Sequence, residues 1–124
     1  MVMVIGGAHQ GKRAYAGRLY PDTEWIDGKI CGAQEIFDCG GIYHFHEYIA
    51  GRMREGEDLN DLTENLYAKN PDIVIVSDEI GYGIVPAEAF QREYRELTGR
   101  ICTELAARAE EVHRVVCGIG TRIK

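Results

Sequence analysis

The sequence has no basic stripe, no long apolar run and no paired cysteines, and each absence excludes something. Its formal net charge is −6, from 14 lysines and arginines against 20 acids. A chain without a cationic surface offers little to a phosphate backbone, so nucleic acid is not an expected partner. No apolar stretch approaches the roughly 20 residues of a membrane span, and the first residues lack the zones of a signal peptide. The expectation is a cytoplasmic protein. Cys31, Cys39, Cys102 and Cys117 are scattered without a C-x-x-C pair, which argues against a zinc site or disulfide framework and for buried thiols.

What is present starts at the first residues. Residues 2–5 form a short apolar run that ends in Gly6, and Gly11 and Lys12 follow at the spacing G-x-x-x-x-G-K. That is the frame of a phosphate-binding loop between a buried strand and a helix. Glycines let Gly6, Gly7, Ala8, His9, Gln10 and Gly11 curl so that backbone N–H groups face one anion, and the helix N-terminus adds its positive dipole end. His9 lies inside the loop, within reach of phosphate. Lys12 supplies a point charge for the outer phosphates. Where the motif has a serine or threonine hydroxyl for Mg²⁺, this chain has Arg13, which has no lone pair to offer. The alternative is a glycine-rich turn without chemistry.

With 124 residues, 45% of them hydrophobic and 27% charged, the chain has the make-up of one globular domain spanning 1–124. Residues 12–19 read as a helix and 24–26 as a brief strand closed by an Asp27-Gly28 turn. Residues 35–39 read as a short buried strand that delivers Asp38 to its carboxyl end. Helical spacing predicts helices over 42–54 and 57–70, and 72–77 is apolar on both faces, as a central parallel strand must be. A glycine-punctuated loop at 78–83 leads to Pro86, which opens a long helix; Gly99 inside it marks a place where something packs closely. A last strand covers 112–117, followed by a basic tail. The order implies an α/β fold, P-loop NTPase-like, with helices on both faces of a mostly parallel sheet.

In such sheets ligands sit at the carboxyl ends of the strands. The loop at 6–12, Asp38, Asp78 and Glu79 are all expected there, the acids as Mg²⁺ ligands or to manage an attacking hydroxyl. Solvated strand ends are the plain alternative for those acids. His44 and His46, at i and i+2 on a helix, point roughly 200° apart, so a shared zinc is not expected; one of them lines the nucleotide cleft instead. The arginines and glutamates of the long helix form a mostly solvated, self-compensating face.

Residues 77–86, Ser-Asp-Glu-Ile-Gly-Tyr-Gly-Ile-Val-Pro, resemble the asparagine-glutamate-valine-glycine-x-glycine-isoleucine-valine-proline stretch of the adenosylcobinamide kinase / adenosylcobinamide-phosphate guanylyltransferase family. The resemblance continues through residues 90–95, 99–100, 105–106 and 109–112 and ends in 115–124. Residues 6–12 are similar to the family's phosphate loop, and Asp38-Cys39 to its acidic-residue–cysteine pair. The resemblance implies an enzyme of cobalamin biosynthesis. Such an enzyme phosphorylates adenosylcobinamide with ATP or GTP, then transfers GMP through a guanylylated histidine, as a homo-oligomer with nucleotide and corrinoid as partners. It also implies Lys12 and Glu79 as catalytic, Gly6 to Arg13 and Asp38 as nucleotide-binding, and Asp38, Asp78 and Glu79 as Mg²⁺ ligands. The chain departs from the family at Arg13, where the family has serine. It also has no histidine in residues 20–37, where the family's nucleophile belongs. His46, with His44 beside it, is the catalytic histidine expected in its stead. A non-catalytic nucleotide-binding homologue, another small-molecule kinase on this scaffold and a bare assembly module are the alternatives.

Overall fold

The computed structural model describes residues 1–80 and 88–124. Pro86 and the glycines at 81 and 83 lie outside the described residues. Six strands form one sheet in the order β2-β3-β4-β1-β5-β6: β1 (Val2–Gly6), β2 (Trp25–Asp27), β3 (Gly41–Tyr43), β4 (Val74–Asp78), β5 (Glu111–Val116) and β6 (Ile119–Arg122). All neighbours run parallel except β5 and β6. Among the described residues four α-helices cover it: α1 (Lys12–Leu19), α2 (Phe45–Arg54), α3 (Leu62–Lys69) and α4 (Ala89–Arg108). This is the expected α/β architecture, and among the described residues no helix is long and apolar enough to cross a membrane.

Alternation along the central strands divides the core into two layers. Met3 and Ile75 join Phe45, Ile49, Leu66, Ile101 and Leu105 on the side of α2, α3 and α4. Val4, Val76 and Val115 face the other way, onto Ala16 of α1. The same parity separates the residues that follow: Asp78, two beyond Val76, projects on the α1 side.

The sheet's centre is packed closely at the loop. A Cβ on Gly6 would lie 2.5 Å from the Val115 carbonyl oxygen of the adjacent strand, a backbone atom that cannot step aside. Gly6→Ala should therefore destabilise the protein by about 1–3 kcal/mol, readable as a lowered melting temperature. A melting curve unchanged from the parent would show that this contact yields.

Four sequence expectations are corrected. Residues 35–39 are not a strand: Glu35–Phe37 is a 3₁₀ turn, and the Asn70 side-chain amide donates to the carbonyls of Ile36 and Cys39 at 2.9 and 2.8 Å. Those bonds occupy the groups a ladder would use. The strand comes later, at Gly41–Tyr43, so the helix read over 42–54 begins only at Phe45. Ile42 suits either period, and a short apolar run does not choose between them. The helix read over 57–70 starts at Leu62, although Leu59 ahead of it is buried all the same. The basic tail is strand β6, reached through Cys117 and Gly118 with φ of 51° and 77°. Two successive positive φ values are the two-residue hairpin turn whose twist matches its strands.

One smaller expectation also fails, that of buried thiols, while the packing expected at Gly99 has no partner among the described residues. A Cβ at Gly99 would meet nothing within 4 Å among the described residues. Of the four free thiols, three are half-buried and Cys117 is exposed.

Candidate functional site

The phosphate-loop segment joins β1 to α1 at the carboxyl edge of the sheet. Its two tight positions are His9 and Gly11, with φ of 59° and 84°. Gly11 is the N-cap of α1 and bears the left-handed conformation that glycine adopts without a Cβ penalty. The β5–β6 turn holds the loop from behind. The Gly118 amide donates to the Gln10 carbonyl at 2.8 Å, and the Cys117 amide to Gln10 Oε1 at 2.6 Å. The Glu79 amide donates to the Gly6 carbonyl at 2.8 Å. Gln10 is thus spent on bracing the loop.

Lys12 is the one buried cation of the loop, 7% exposed. Its ammonium donates to the Gly7 carbonyl at 2.7 Å and pairs with Asp78 Oδ1 at 2.7 Å. A cleft of about 350 Å³ opens here, lined by the loop from Ala8 to Arg13 and by Tyr43, His44, His46 and Asp78. Three of its walls come from the ends of β1, β3 and β4, the edge where ligands of such sheets bind.

The two histidines divide their work. The Asp78 amide donates to His46 Nδ1 at 3.1 Å, so the neutral ring carries its hydrogen on Nε2, which lies 3.4 Å from Asp78 Oδ2. Burial lowers the His46 pKa and outweighs the pull of Asp78 and Glu47 in the other direction. His46 is therefore a neutral clamp on Asp78, with both nitrogens engaged. His44 is the reverse case. Its Nδ1 lies 2.9 Å from Asp27 Oδ1, and a carboxylate only accepts, so Nδ1 carries the hydrogen, and in the neutral ring Nε2 is the nitrogen with the lone pair. Burial opposes ionisation of Asp27, but hydrogen bonds from His44 and the Lys29 amide outweigh it and hold the carboxyl below its ordinary range. His44 itself sits at φ 55° between β3 and α2, and the two imidazoles stand perpendicular with centroids 6.0 Å apart. Because His44 caps the helix rather than continuing it, the roughly 200° separation expected on one helix does not apply, and both rings face the cleft.

Arg13 lays its guanidinium 3.8 Å over the Tyr43 ring, and both residues line the cleft. Glu79 leaves on the other side of β4. Arg114 grips it with two hydrogen bonds, Nε to Oε1 at 2.9 Å and Nη2 to Oε2 at 3.3 Å. Asp38 is not among the residues that line this cleft. It precedes β3, and Gly41 at the start of β3 pairs with Val74 at the start of β4, so Asp38 lies toward the amino edge while the loop lies at the carboxyl edge. The strand expected to carry it there is the 3₁₀ turn. Of the residues expected at the site, the structure thus groups Gly6 to Arg13, His46 and Asp78, sets Glu79 beside them and leaves Asp38 out.

Sequence reasoning missed Asp27, Tyr43 and the Cys117–Gly118 turn. For Asp27 a signal existed: Trp25 and Ile26 end in an acid, the same pattern that singled out Asp78. It was read only as the start of a turn.

Comparison with known proteins gives a family. Residues 29–123 match the family model described as cobinamide kinase / cobinamide phosphate guanyltransferase. The loop at 6–12 precedes that segment, so its reading rests on the geometry above. The chain is 48% identical over 93 residues to the bifunctional adenosylcobalamin biosynthesis protein CobU of Escherichia coli K12, covering 72% of this chain and 50% of that protein. To the protein of the same name from Salmonella typhimurium LT2 it is 48% identical over 52 residues, 42% of this chain and 29% of that one. The chain spans about half the length, or less, of these relatives. A match over most of its residues nonetheless settles the kinship: the chain belongs to the cobinamide kinase / cobinamide phosphate guanyltransferase family.

Proposed function

We propose that residues 1–124 act as a single nucleotide-binding domain that phosphorylates adenosylcobinamide from ATP or GTP and carries GMP to the product, as a homo-oligomer. The observation that supports this most is Lys12, buried between the Gly7 carbonyl and Asp78 in a cleft at the carboxyl edge. An entering phosphate replaces the Gly7 contact and takes up the ammonium charge as negative charge grows on the transferred group. Backbone N–H groups of the loop at the N-terminus of α1 hold the remaining phosphate oxygens. Asp78, held by His46, keeps Lys12 aimed into the cleft.

For guanylyl transfer His44 is the better placed histidine. Its free Nε2 attacks the α-phosphorus of GTP, the bond to the bridging oxygen breaks, and pyrophosphate leaves with the electron pair. Asp27 accepts the Nδ1 hydrogen bond and stabilises the charge on the ring. The phosphate of the corrinoid then displaces His44 and takes the GMP.

The family resemblance implies Mg²⁺, and the residues present do not fit a metal held by the protein. Arg13 replaces the loop hydroxyl with a cation. Lys12 and His46 flank the oxygens of Asp78, Arg114 holds Glu79, and Asp38 faces the other edge. Among the described residues no three His, Cys, Asp or Glu side chains gather to hold an ion.

The test is to incubate the protein with adenosylcobinamide and GTP labelled at either the γ- or the α-phosphate. Label from the γ-position on the corrinoid is the expected first result. GTP bound but never turned over would instead favour a binding protein without catalysis.

A further inference from the structure

We propose that Arg13 stands in for a loop-held divalent cation, so that this chain binds the triphosphate of a purine nucleotide without needing Mg²⁺. The inference rests on the nucleotide-binding reading above. It begins with donor chemistry. A phosphate loop neutralises its ligand with one lysine and one metal ion, and the metal is anchored by the hydroxyl after the lysine and by an acid on the neighbouring strand. Here the hydroxyl position is a guanidinium. The neighbouring acid, Asp78, has the Lys12 ammonium 2.7 Å from Oδ1 and the His46 Nε2–H 3.4 Å from Oδ2. A dication placed between Asp78 and the phosphates would sit next to the Lys12 ammonium, which repels it, and would have to displace the hydrogens of Lys12 and His46 from the Asp78 oxygens.

The guanidinium is also held ready. Arg13 is exposed to solvent in the first turn of α1, yet it is stacked on Tyr43 at 3.8 Å, and Tyr43 lines the same cleft. Among the described residues it forms no ion pair with a carboxylate. Stacking uses the face of the guanidinium and leaves its in-plane N–H fork free, the part that grips phosphate oxygens in pairs. Tyr43 itself ends β3, the strand beside β4, so the stacked group lies on the cleft wall next to the strand that carries Asp78. Lys12 and Arg13 together bring two positive charges to one triphosphate, as a lysine and a partly neutralised metal do in the usual loop.

The experiment is calorimetric titration of the full chain with GTP, in excess Mg²⁺ and in excess EDTA. The dissociation constants should agree within about threefold. Arg13→Ser removes the fork and restores a hydroxyl; its affinity in EDTA should fall on the order of tenfold or more, and Mg²⁺ should recover most of it. Arg13 is exposed, so this variant should melt with the parent, and a matched melting curve keeps the comparison fair. Wild-type protein that loses its affinity in EDTA would overturn the inference while leaving nucleotide binding intact. So would an Arg13→Ser protein that binds equally well without metal. A wild-type chain that binds GTP in neither buffer would sink the nucleotide-binding reading and this inference together.

Discussion

Lys12→Ala should cut γ-phosphoryl transfer by on the order of 10²–10³ in kcat/KM, because it removes the only buried cation of the loop. The loss should exceed that of any loop substitution before Lys12 that leaves the backbone unchanged, since the contacts of residues 7–11 to phosphate come from backbone N–H groups. Folding is the confounder. Lys12 neutralises Asp78, whose side chain is three-quarters buried, and deleting one partner leaves the other to be solvated. That costs about 1–3 kcal/mol, roughly 4–12 °C in melting temperature for a domain of this size, not the fold. Lys12→Arg keeps the charge but exchanges a compact ammonium for a planar fork, which does not fit between the Gly7 carbonyl and Asp78 as the ammonium does. It should not rescue the rate. The measurement is steady-state transfer of γ-label beside a thermal melt of each variant. A folded Lys12→Ala protein with near-parental transfer would end the phosphate-loop reading.

The second large effect separates the histidines. With α-labelled GTP, label should stay on the denatured protein, and His44→Ala should reduce it to background. Asp27→Asn should lower the rate of labelling on the order of a hundredfold, because an amide offers His44 an N–H as well as a carbonyl and no longer secures the tautomer with Nε2 free. γ-Transfer should survive in both variants. His46→Ala should act differently: it frees the Asp78 amide and carboxylate from their clamp, slowing both reactions together and leaving the protein able to take label. Acid-labile, base-stable label lost in His44→Ala but kept in His46→Ala is the expected pattern. Label lost in His46→Ala alone would return the nucleophile to the position first read from the sequence. It would also require the His46 ring to leave the Asp78 amide.

The contrast between those two residues shows what a linear pattern carries. H-x-H with apolar residues at helical steps reads as one helix, and on one helix the rings diverge. In the structure His44 is a left-handed junction between strand and helix. Histidine adopts that conformation more readily than most residues, but too rarely to announce it, and here it is held by tertiary contacts: Gly28, whose missing Cβ lets the chain pass against the His44 carbonyl, and Asp27, which fixes the ring. Asp38 illustrates the opposite error. An acid after apolar residues was read as the end of a strand, but Asn70, distant in sequence, ties the carbonyls on either side of it. A side chain from the α3–β4 connection thus decided the matter.

Where each residue's environment is local and periodic, the sequence alone was sufficient. The run before Gly6, the glycine-lysine spacing, α1 and the doubly apolar strand β4 all follow from side-chain period and backbone sterics, and with them the α/β class and the edge that carries the site. Only the tertiary structure decided which acids reach that edge, which nitrogen of each imidazole is free and what braces the loop. Asp78 and Glu79 are adjacent in sequence, yet one meets Lys12 and the other Arg114, because successive residues at a strand end leave on opposite faces. The bracing turn at Cys117–Gly118 lies more than a hundred residues from Gln10, beyond any window in which period or spacing has meaning. Pairings of that kind depend on where the sheet brings its strands together, and the chain specifies that through its whole core at once.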